Sequence, residues 1–267
     1  MNGKAGTDES AHSAFEQMAS VYDLFAAEYE YEPWLRDLVA ELERRELRKG
    51  SLLDVACGTG MSFLPMIESG WDVTGCDFSA SMLHRAERKA PSARLAVADM
   101  RELPTFGSFE LVWCLGNSLN YLLDREELRA ALVGMRRNLA TDGLLLFDLC
   151  TLLAFRTFFV ETSVRERDDR RLVWTGHAVP SLAPGSIGEA TFLVEGDSGQ
   201  RLGQTVHRQR HFRASLRSCG GEAEGDRAFR RALAWRLCRG AGSFTRPHPQ
   251  RLSGARGRGD RVRGFGY

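Results

Sequence analysis

Lysine is almost absent: of the 36 basic side chains in 267 residues only Lys4, Lys49 and Lys89 are lysines, and the rest are arginines. Long apolar runs are missing too. No eighteen uncharged apolar residues follow one another, and the start, MNGKAGTDESAHSAFEQMAS, has no apolar run behind a basic segment. These absences exclude a helical membrane span and a secretory leader, so a cytoplasmic protein is expected. Cysteine is sparse and unpatterned: Cys57, Cys76, Cys114, Cys150, Cys219 and Cys238 show neither CxxC nor Cys/His spacing, which excludes a disulfide framework and implies no metal site. What remains, 43% hydrophobic and 27% charged residues, is the balance of an ordinary globular chain long enough to bury a sizeable core.

The net charge of +1 hides a division. Residues 213–267 hold thirteen arginines, no lysine and four acids, a net of +9, which leaves −8 for residues 1–212. Four regions follow: a helical lead-in over 1–50, an alternating β/α core over 51–150, a helix with an antiparallel extension over 151–212, and an Arg/Gly-rich tail over 213–267.

Within the core, SLLDVA is a short apolar run that ends in the turn CGTG, after which helical patterning resumes. WDVTGCDF is a second strand, followed by a helix that Ser79 can cap and whose Met82, Leu83 and Ala86 share a face. ARLAVADM, FELVWCLGN and GLLLFDLCT are three more strands, with the amphipathic REELRAALVGMRRNLA before the last. Strands alternating with helices predict an α/β fold: a doubly wound, mostly parallel Rossmann-like sheet covered on both faces. Further on, TLLAFRTFF reads as a helix, and RRLVWTGHAVP, GEATFLVEG and RLGQTVHRQRHF as three strands of an antiparallel flap.

In such a sheet ligands sit beyond the carboxyl ends of the strands, beside the first turn. Gly58 and Gly60 let the main chain approach a ligand there, and Asp77, at the end of the second strand, can accept both hydroxyls of a ribose. A dinucleotide fingerprint wants a small residue where Phe63 stands. Asp54 and Asp99, at two further strand ends, would surround the ligand with negative charge, which suits a cation better than a diphosphate.

LLDVACGTG, VTGCDFSASML, VADMREL, FELVWCLGNSLNYLL and LATDGLLLFDL resemble the successive motifs of class I S-adenosylmethionine-dependent methyltransferases, over roughly residues 20 to 150. The similarity is greatest to the branch acting on small molecules, in which a Tyr-x-x-Trp element like Tyr31 and Trp34 precedes the glycine loop. The resemblance implies S-adenosyl-L-methionine as cofactor, with Ala56, Gly58 and Thr59 against its amino-acid moiety and Asp77 on the ribose. It also implies Phe78 and Met82 beside the adenine, Asp99 accepting from the adenine amino group with Met100 stacked alongside, and Leu115 and Asn117 near the sulfonium. The flap resembles, more loosely, the substrate-covering insertion of sugar and amino-group N-methyltransferases.

Methyl transfer is an in-line displacement that positioning alone can drive, so a base is optional. The candidates are His211, His177 and His207 in the flap, with His211 preferred because HRQRHF puts His207, Gln209 and His211 on one face, and Tyr22 in the lead-in. The expected activity is transfer to nitrogen or oxygen of a small-molecule acceptor, with no membrane partner, nucleic acid disfavoured and a homodimer allowed. RNA methylation through the basic tail, a non-catalytic cofactor-binding protein and a dehydrogenase are the alternatives. The family closes its sheet with two more strands, whereas the sequence after Phe212 turns Arg- and Gly-rich. That change reads as a shift of reading frame near residue 213 in a GC-rich gene, with the C-terminal strands missing or altered.

Overall fold

Alternate residues of the strand Ser51–Val55 (β1) feed two different cores, which places this strand in the middle of a layered molecule. Leu52 packs with Phe63, Val73, Leu111 and Trp113 on one face of the sheet. Leu53 and Val55 pack with Cys76, Val112, Cys114 and Met135 on the other. The computed structural model describes residues 5–26, 38–40, 42–44, 46–47, 49–167, 169–212 and 233–235. Tyr31 and Trp34 lie outside them, as does most of the Arg/Gly-rich tail.

The parallel sheet has the order β3 (Arg94–Val97), β2 (Asp72–Asp77), β1, β4 (Phe109–Cys114), β5 (Leu139–Asp148). The order reverses between β1 and β4, so a crevice opens beyond their carboxyl ends. The helices α1 (Ala5–Met18) and α2 (Tyr22–Ala26) come before it, and residues 38–40 and 42–44 are also helical. The short α3 (Leu64–Glu68) and α4 (Ala80–Lys89) follow β1 and β2. Ser79 Oγ caps α4 by accepting from Met82 N–H at 3.1 Å, as its sequence predicts, and Met82, Leu83 and Ala86 are buried. The helix α5 (Arg125–Arg137) starts on a capping box in which the Asp124 carboxylate accepts from Glu127 N–H and the Glu127 carboxylate accepts in return from the Asp124 N–H.

After β5 comes α6 (Leu152–Val160), capped by Thr151. The antiparallel extension has four strands where three were expected: β6 (Thr162–Arg167), β7 (Arg170–Gly176), β8 (Ile187–Gly196) and β9 (Arg201–Arg210), paired in that order. The additional strand β6 is rich in charge, yet Arg165 is buried and donates from Nη1 to the Phe25 carbonyl at 2.7 Å while its guanidinium lies 4.9 Å from the Phe25 ring centroid. The inner face of this second sheet, with Leu172, Trp174, Ala190, Phe192 and Val194, packs on Phe155 and Phe159 of α6 and on Met18 and Val21.

One strand-forming segment lies within the tail. Leu233–Trp235 (β10) pairs parallel to β5, with Leu233 opposite Leu146 and Trp235 opposite Asp148, so a sixth strand does extend the parallel sheet. The C-terminal strands were expected to be missing or altered; apart from these three residues the tail lies outside the described residues.

Candidate active site

The turn after β1 is held in a conformation that glycine favours. Gly58 and Gly60 have φ of +53° and +83°, and Ala56, at +59°, shares the left-handed region. A Cβ on Gly60 would lie 2.6 Å from Cζ of Phe63, whereas one on Gly58 would meet only the Tyr22 ring, at 4.0 Å. Phe63, the residue that spoils a dinucleotide fingerprint, is thus part of the core beneath the loop: its ring is fully buried and also flanks Gly75. The close approach that glycine permits at Gly60 is to Phe63, and the open side of the loop is at Gly58.

Asp77 fastens this loop to β2. Its Oδ2 accepts from Gly58 N–H at 2.8 Å and its Oδ1 from Ser79 N–H at 2.9 Å. Each carboxylate oxygen retains lone-pair capacity for a further donor such as a ribose hydroxyl. Burial pushes Asp77 up to about 6 against the pull of those amides. Asp54 faces the core on β1, accepts from Ser62 Oγ at 2.6 Å, and is pushed by burial to about 7. Asp99 behaves differently. Burial works to raise it, but Arg101 outweighs that and holds it below the usual carboxylate range, through its N–H at 2.8 Å and a guanidinium ion pair.

The lead-in helices reach the loop from above. Thr59 Oγ1 donates to Asp23 Oδ1 at 2.5 Å; Lys89 Nζ lies 2.5 Å from Asp23 Oδ2 and donates to the Thr59 carbonyl at 3.1 Å. Glu16 accepts from the Ser81 N–H and hydroxyl at the start of α4. Phe15 stands among the site's aromatic rings, 5.9 Å from Phe78, 5.0 Å from Tyr121, 6.4 Å from Tyr22 and 5.7 Å from His207.

The wall opposite the glycine loop is the turn after β4. Asp148, at the end of β5, accepts from Gly116 N–H at 3.1 Å and Asn117 N–H at 2.9 Å, which pins Asn117 at φ +59°. The Asn117 Oδ1 atom is buried and has no hydrogen-bond partner among the described residues. Asn120, fully buried, ties the same turn to β9 and to the segment just after β5: it donates to the Arg210 carbonyl at 2.8 Å and accepts from Cys150 N–H at 2.9 Å.

Between these walls lies a cleft of about 330 Å³, its open mouth included, lined by Tyr22, Ala56, Cys57, Gly58, Thr59, Met61, Ser62, Leu115 and Ser118. The structure therefore brings Tyr22, Ala56, Gly58, Thr59 and Leu115 into one cavity, with Gly60, Asp54 and Asp77 behind it. Phe78 is half-buried beside α1, Met82 is almost fully buried in α4, and Met100 packs into the core under α5.

The histidines divide differently from expectation. His177 is exposed at the end of β7, its Nε2 2.6 Å from Thr191 Oγ1, and does not line the cleft. His211 is buried against Phe155, and its Nδ1 accepts from Gly185 N–H at 3.3 Å, so that ring props the β7–β8 connection. The flap histidine joined to the site is His207, 1% exposed, with Nδ1 3.1 Å from Tyr121 Oη and Nε2 2.9 Å from Thr205 Oγ1. Burial lowers it to about 4, so at neutral pH it is an uncharged hydrogen-bonding partner and a poor proton acceptor.

Sequence reasoning missed Asp23, Lys89 and Asp148, and gave Tyr121 no role although it belongs to the Asn-Tyr pair after the fourth strand of the resembled branch. Of the first three only Asp148 carried a signal, because it ends its strand as Asp77 does. Among the described residues no group of His, Cys, Asp and Glu could hold a metal ion, and no helix is long and apolar enough to cross a membrane.

A family model described as a methyltransferase domain matches residues 52–143. The putative methyltransferase YqeM of Bacillus subtilis is 31% identical over 216 residues, spanning 77% of this chain and 85% of its own. The dTDP-3-amino-3,4,6-trideoxy-alpha-D-glucopyranose N,N-dimethyltransferase of Streptomyces venezuelae is 31% identical over 164 residues, 60% of this chain and 69% of its own. Among solved structures, the sugar N-methyltransferase KedS8 of a Streptoalloteichus species superposes with a TM-score of 0.58 at 31% identity, covering 72% of this chain and 79% of that one.

Proposed function

The chain belongs to the class I S-adenosylmethionine-dependent methyltransferases, and from that premise we propose that it methylates an amino nitrogen of a small, sugar-like acceptor. The observation that carries the small-acceptor reading is an aromatic cluster beside the cleft: Phe15 of α1 stands 6.4 Å from Tyr22, which lines the cleft, and packs on Tyr121 and on His207 of β9. A cleft bordered by a helix and a strand of the second sheet fits a small molecule better than a polymer strand. The choice of nitrogen rests on the acceptors named for the Streptomyces and Streptoalloteichus relatives.

The residues present fit the cofactor. Gly58 leaves open space above the loop, Asp77 keeps free lone pairs, and the buried carboxylates Asp54, Asp77 and Asp148 make the region attractive to a cation. S-adenosylmethionine, when bound, supplies an electrophilic methyl group on a sulfonium. Asp77 would hold the ribose hydroxyls, and the loop from Ala56 to Thr59 the amino-acid end. Leu115 and Ser118 would line the path of the methyl group, and Tyr22 covers Gly58 and helps to exclude water.

Catalysis by these residues is positional. The nucleophilic nitrogen must be uncharged and aimed along the line of displacement, at an approach distance of about 3–3.5 Å. The neutral His207 keeps the Tyr121 hydroxyl in one orientation, and that hydroxyl can fix a polar group of the acceptor without taking its proton. The proton released from nitrogen passes to water.

Calorimetric titration with S-adenosylhomocysteine tests the cofactor site. Binding should be saturable in the native chain and at least ~10-fold weaker in Asp77→Ala, since a pair of hydrogen bonds to a charged group is lost. Mass spectrometry of amino-sugar nucleotides incubated with chain and cofactor tests the acceptor, against matched sugars with hydroxyl in place of amine. Transfer to the hydroxyl compounds alone would overturn the nitrogen assignment. Binding without transfer to any acceptor would support the non-catalytic alternative.

A further inference from the structure

The buried polar side chains along the inward face of β9 are bonded in sequence, with one exception. Thr205 Oγ1 lies 2.9 Å from His207 Nε2, His207 Nδ1 lies 3.1 Å from Tyr121 Oη, and His211 Nδ1 accepts from Gly185 N–H. Gln209 stands between His207 and His211 on the same face and is 8% exposed, yet its side-chain amide has no hydrogen-bond partner among the described residues. Burying an amide without a partner is costly, so such a group is expected to meet one from outside the chain. Its surroundings show from which side. Across the sheet Gln209 pairs with Gly188, which has no side chain, and the Phe159 ring fills the space beside that glycine. On the other side β9 is the edge of its sheet, and the turn after β4 runs along it: Tyr121 meets His207, and Asn120 donates to the Arg210 carbonyl. Gln209 lies between those two attachments. The same turn brings Ser118 into the cleft and carries the Asn117 Oδ1 atom, which is also buried without a partner.

We propose that Gln209 is a specificity-determining residue of the acceptor site, hydrogen-bonded to an acceptor hydroxyl on the carbon next to the amine. This rests on the amino-sugar reading of the site. A hydroxyl both donates and accepts, as a primary amide does, whereas a methylene in its place leaves the buried amide unbonded. A site built on such a bond discriminates strongly against the analogue that lacks the hydroxyl, because the protein group then loses water and gains nothing. Depth selects which hydroxyl is read. In a nucleotide-linked sugar the nucleotide on C1 stays at the open mouth of the cleft, so the buried Gln209 meets the edge of the ring remote from C1. In a 3-amino sugar the hydroxyl on that edge, next to the amine, is the one on C4.

Calorimetry of the full chain with S-adenosylhomocysteine present compares two probes that differ in that hydroxyl alone, dTDP-3-amino-3,6-dideoxy-alpha-D-glucopyranose and dTDP-3-amino-3,4,6-trideoxy-alpha-D-glucopyranose. The native chain should bind the first at least ~10-fold more tightly, and Gln209→Met should bind the two within ~2-fold of each other. Methionine keeps the length of the side chain and removes an unbonded amide, so Gln209→Met should unfold at no lower urea concentration than the native chain. Equal affinity of the native chain for the two probes, a preference that survives in Gln209→Met, binding of neither probe, or a variant that unfolds at markedly lower urea would each overturn the proposal. Methyl transfer to the same probes is scored separately by mass spectrometry. The preference without transfer leaves the role of Gln209 standing and overturns the methylation reading, whereas transfer without the preference does the reverse.

Discussion

Gly60 and Phe63 form a pair whose energetic coupling can be measured. In Gly60→Ala the new Cβ would sit 2.6 Å from Phe63 Cζ and 2.9 Å from Cε2, at a backbone φ of +83°. The backbone strain of a non-glycine residue there is about 1–2 kcal/mol. Displacing a fully buried ring adds about 1–3 kcal/mol of overpacking. The expected loss is therefore about 2–5 kcal/mol, a large part of the ~5–15 kcal/mol that holds a domain together. Phe63→Leu removes the ring edge and should cost about 1–2 kcal/mol by lost burial. If the ring is what forbids the Cβ, Gly60→Ala in the Phe63→Leu background should retain only the backbone part. The double variant would then be about 1–3 kcal/mol more stable than the sum of the singles predicts. Urea unfolding of the four chains, followed by circular dichroism, gives the cycle. Additivity within about 0.5 kcal/mol would refute the reasoning, because it would mean that the ring and the glycine do not constrain each other.

Two further perturbations probe the carboxylates. Burial holds Asp54 at about 7 in the folded chain against an ordinary value of 3.8, so the folded state keeps a proton that the unfolded state has lost. Stability should therefore fall as pH rises from about 4 to about 7, and Asp54→Asn should flatten that fall by up to ~4 kcal/mol; urea midpoints across this range that leave the slope unchanged would contradict it. Asp148→Ala strips the acceptor from the Gly116 and Asn117 amides, so it should destabilise the chain by about 2–4 kcal/mol, where a loss below ~0.5 kcal/mol would show that the turn holds itself.

The parallel sheet was legible because its strands are short apolar runs, each closed by a turn or a carboxylate, and burial on both faces demands that composition. Asp77 was legible at the end of β2 for the same reason. Strand β6 was not: Thr162–Arg167 ends in three consecutive charged residues, and only the tertiary contact of Arg165 with the Phe25 carbonyl and ring makes burial of an arginine favourable. Helix α1 was legible only as part of a helical lead-in, because only Ala14 and Met18 are buried in its described part and the apolar signal is thin. Its importance comes from Phe15, whose neighbours belong to four separate segments, and no local pattern reports that. The histidines failed for a related reason. Alternation correctly put His207, Gln209 and His211 on one face, and all three are buried, but alternation is blind to position along the strand. Four residues along an extended chain span about 13 Å, enough to move His211 from the cleft to the β7–β8 connection.

Electrostatics links the site's architecture to its ligand. Asp77 holds Gly58 and Ser79 through one oxygen each, so the carboxylate that would receive a ribose also builds the loop beside it. Burial raises Asp77 and Asp54 toward neutrality, and a neighbouring carboxylate opposes ionisation of each: Asp77 that of Asp54, and Glu16 that of Asp77. A cation bound nearby favours the ionised forms and recovers part of that cost, whereas a neutral ligand does not. Affinity for the sulfonium cofactor should therefore rise as pH increases from 5.5 through about 7, while affinity for the thioether product S-adenosylhomocysteine rises less. Calorimetry of both ligands over that range decides the matter: parallel pH profiles would mean that the buried carboxylates serve the loop alone and do not select for positive charge.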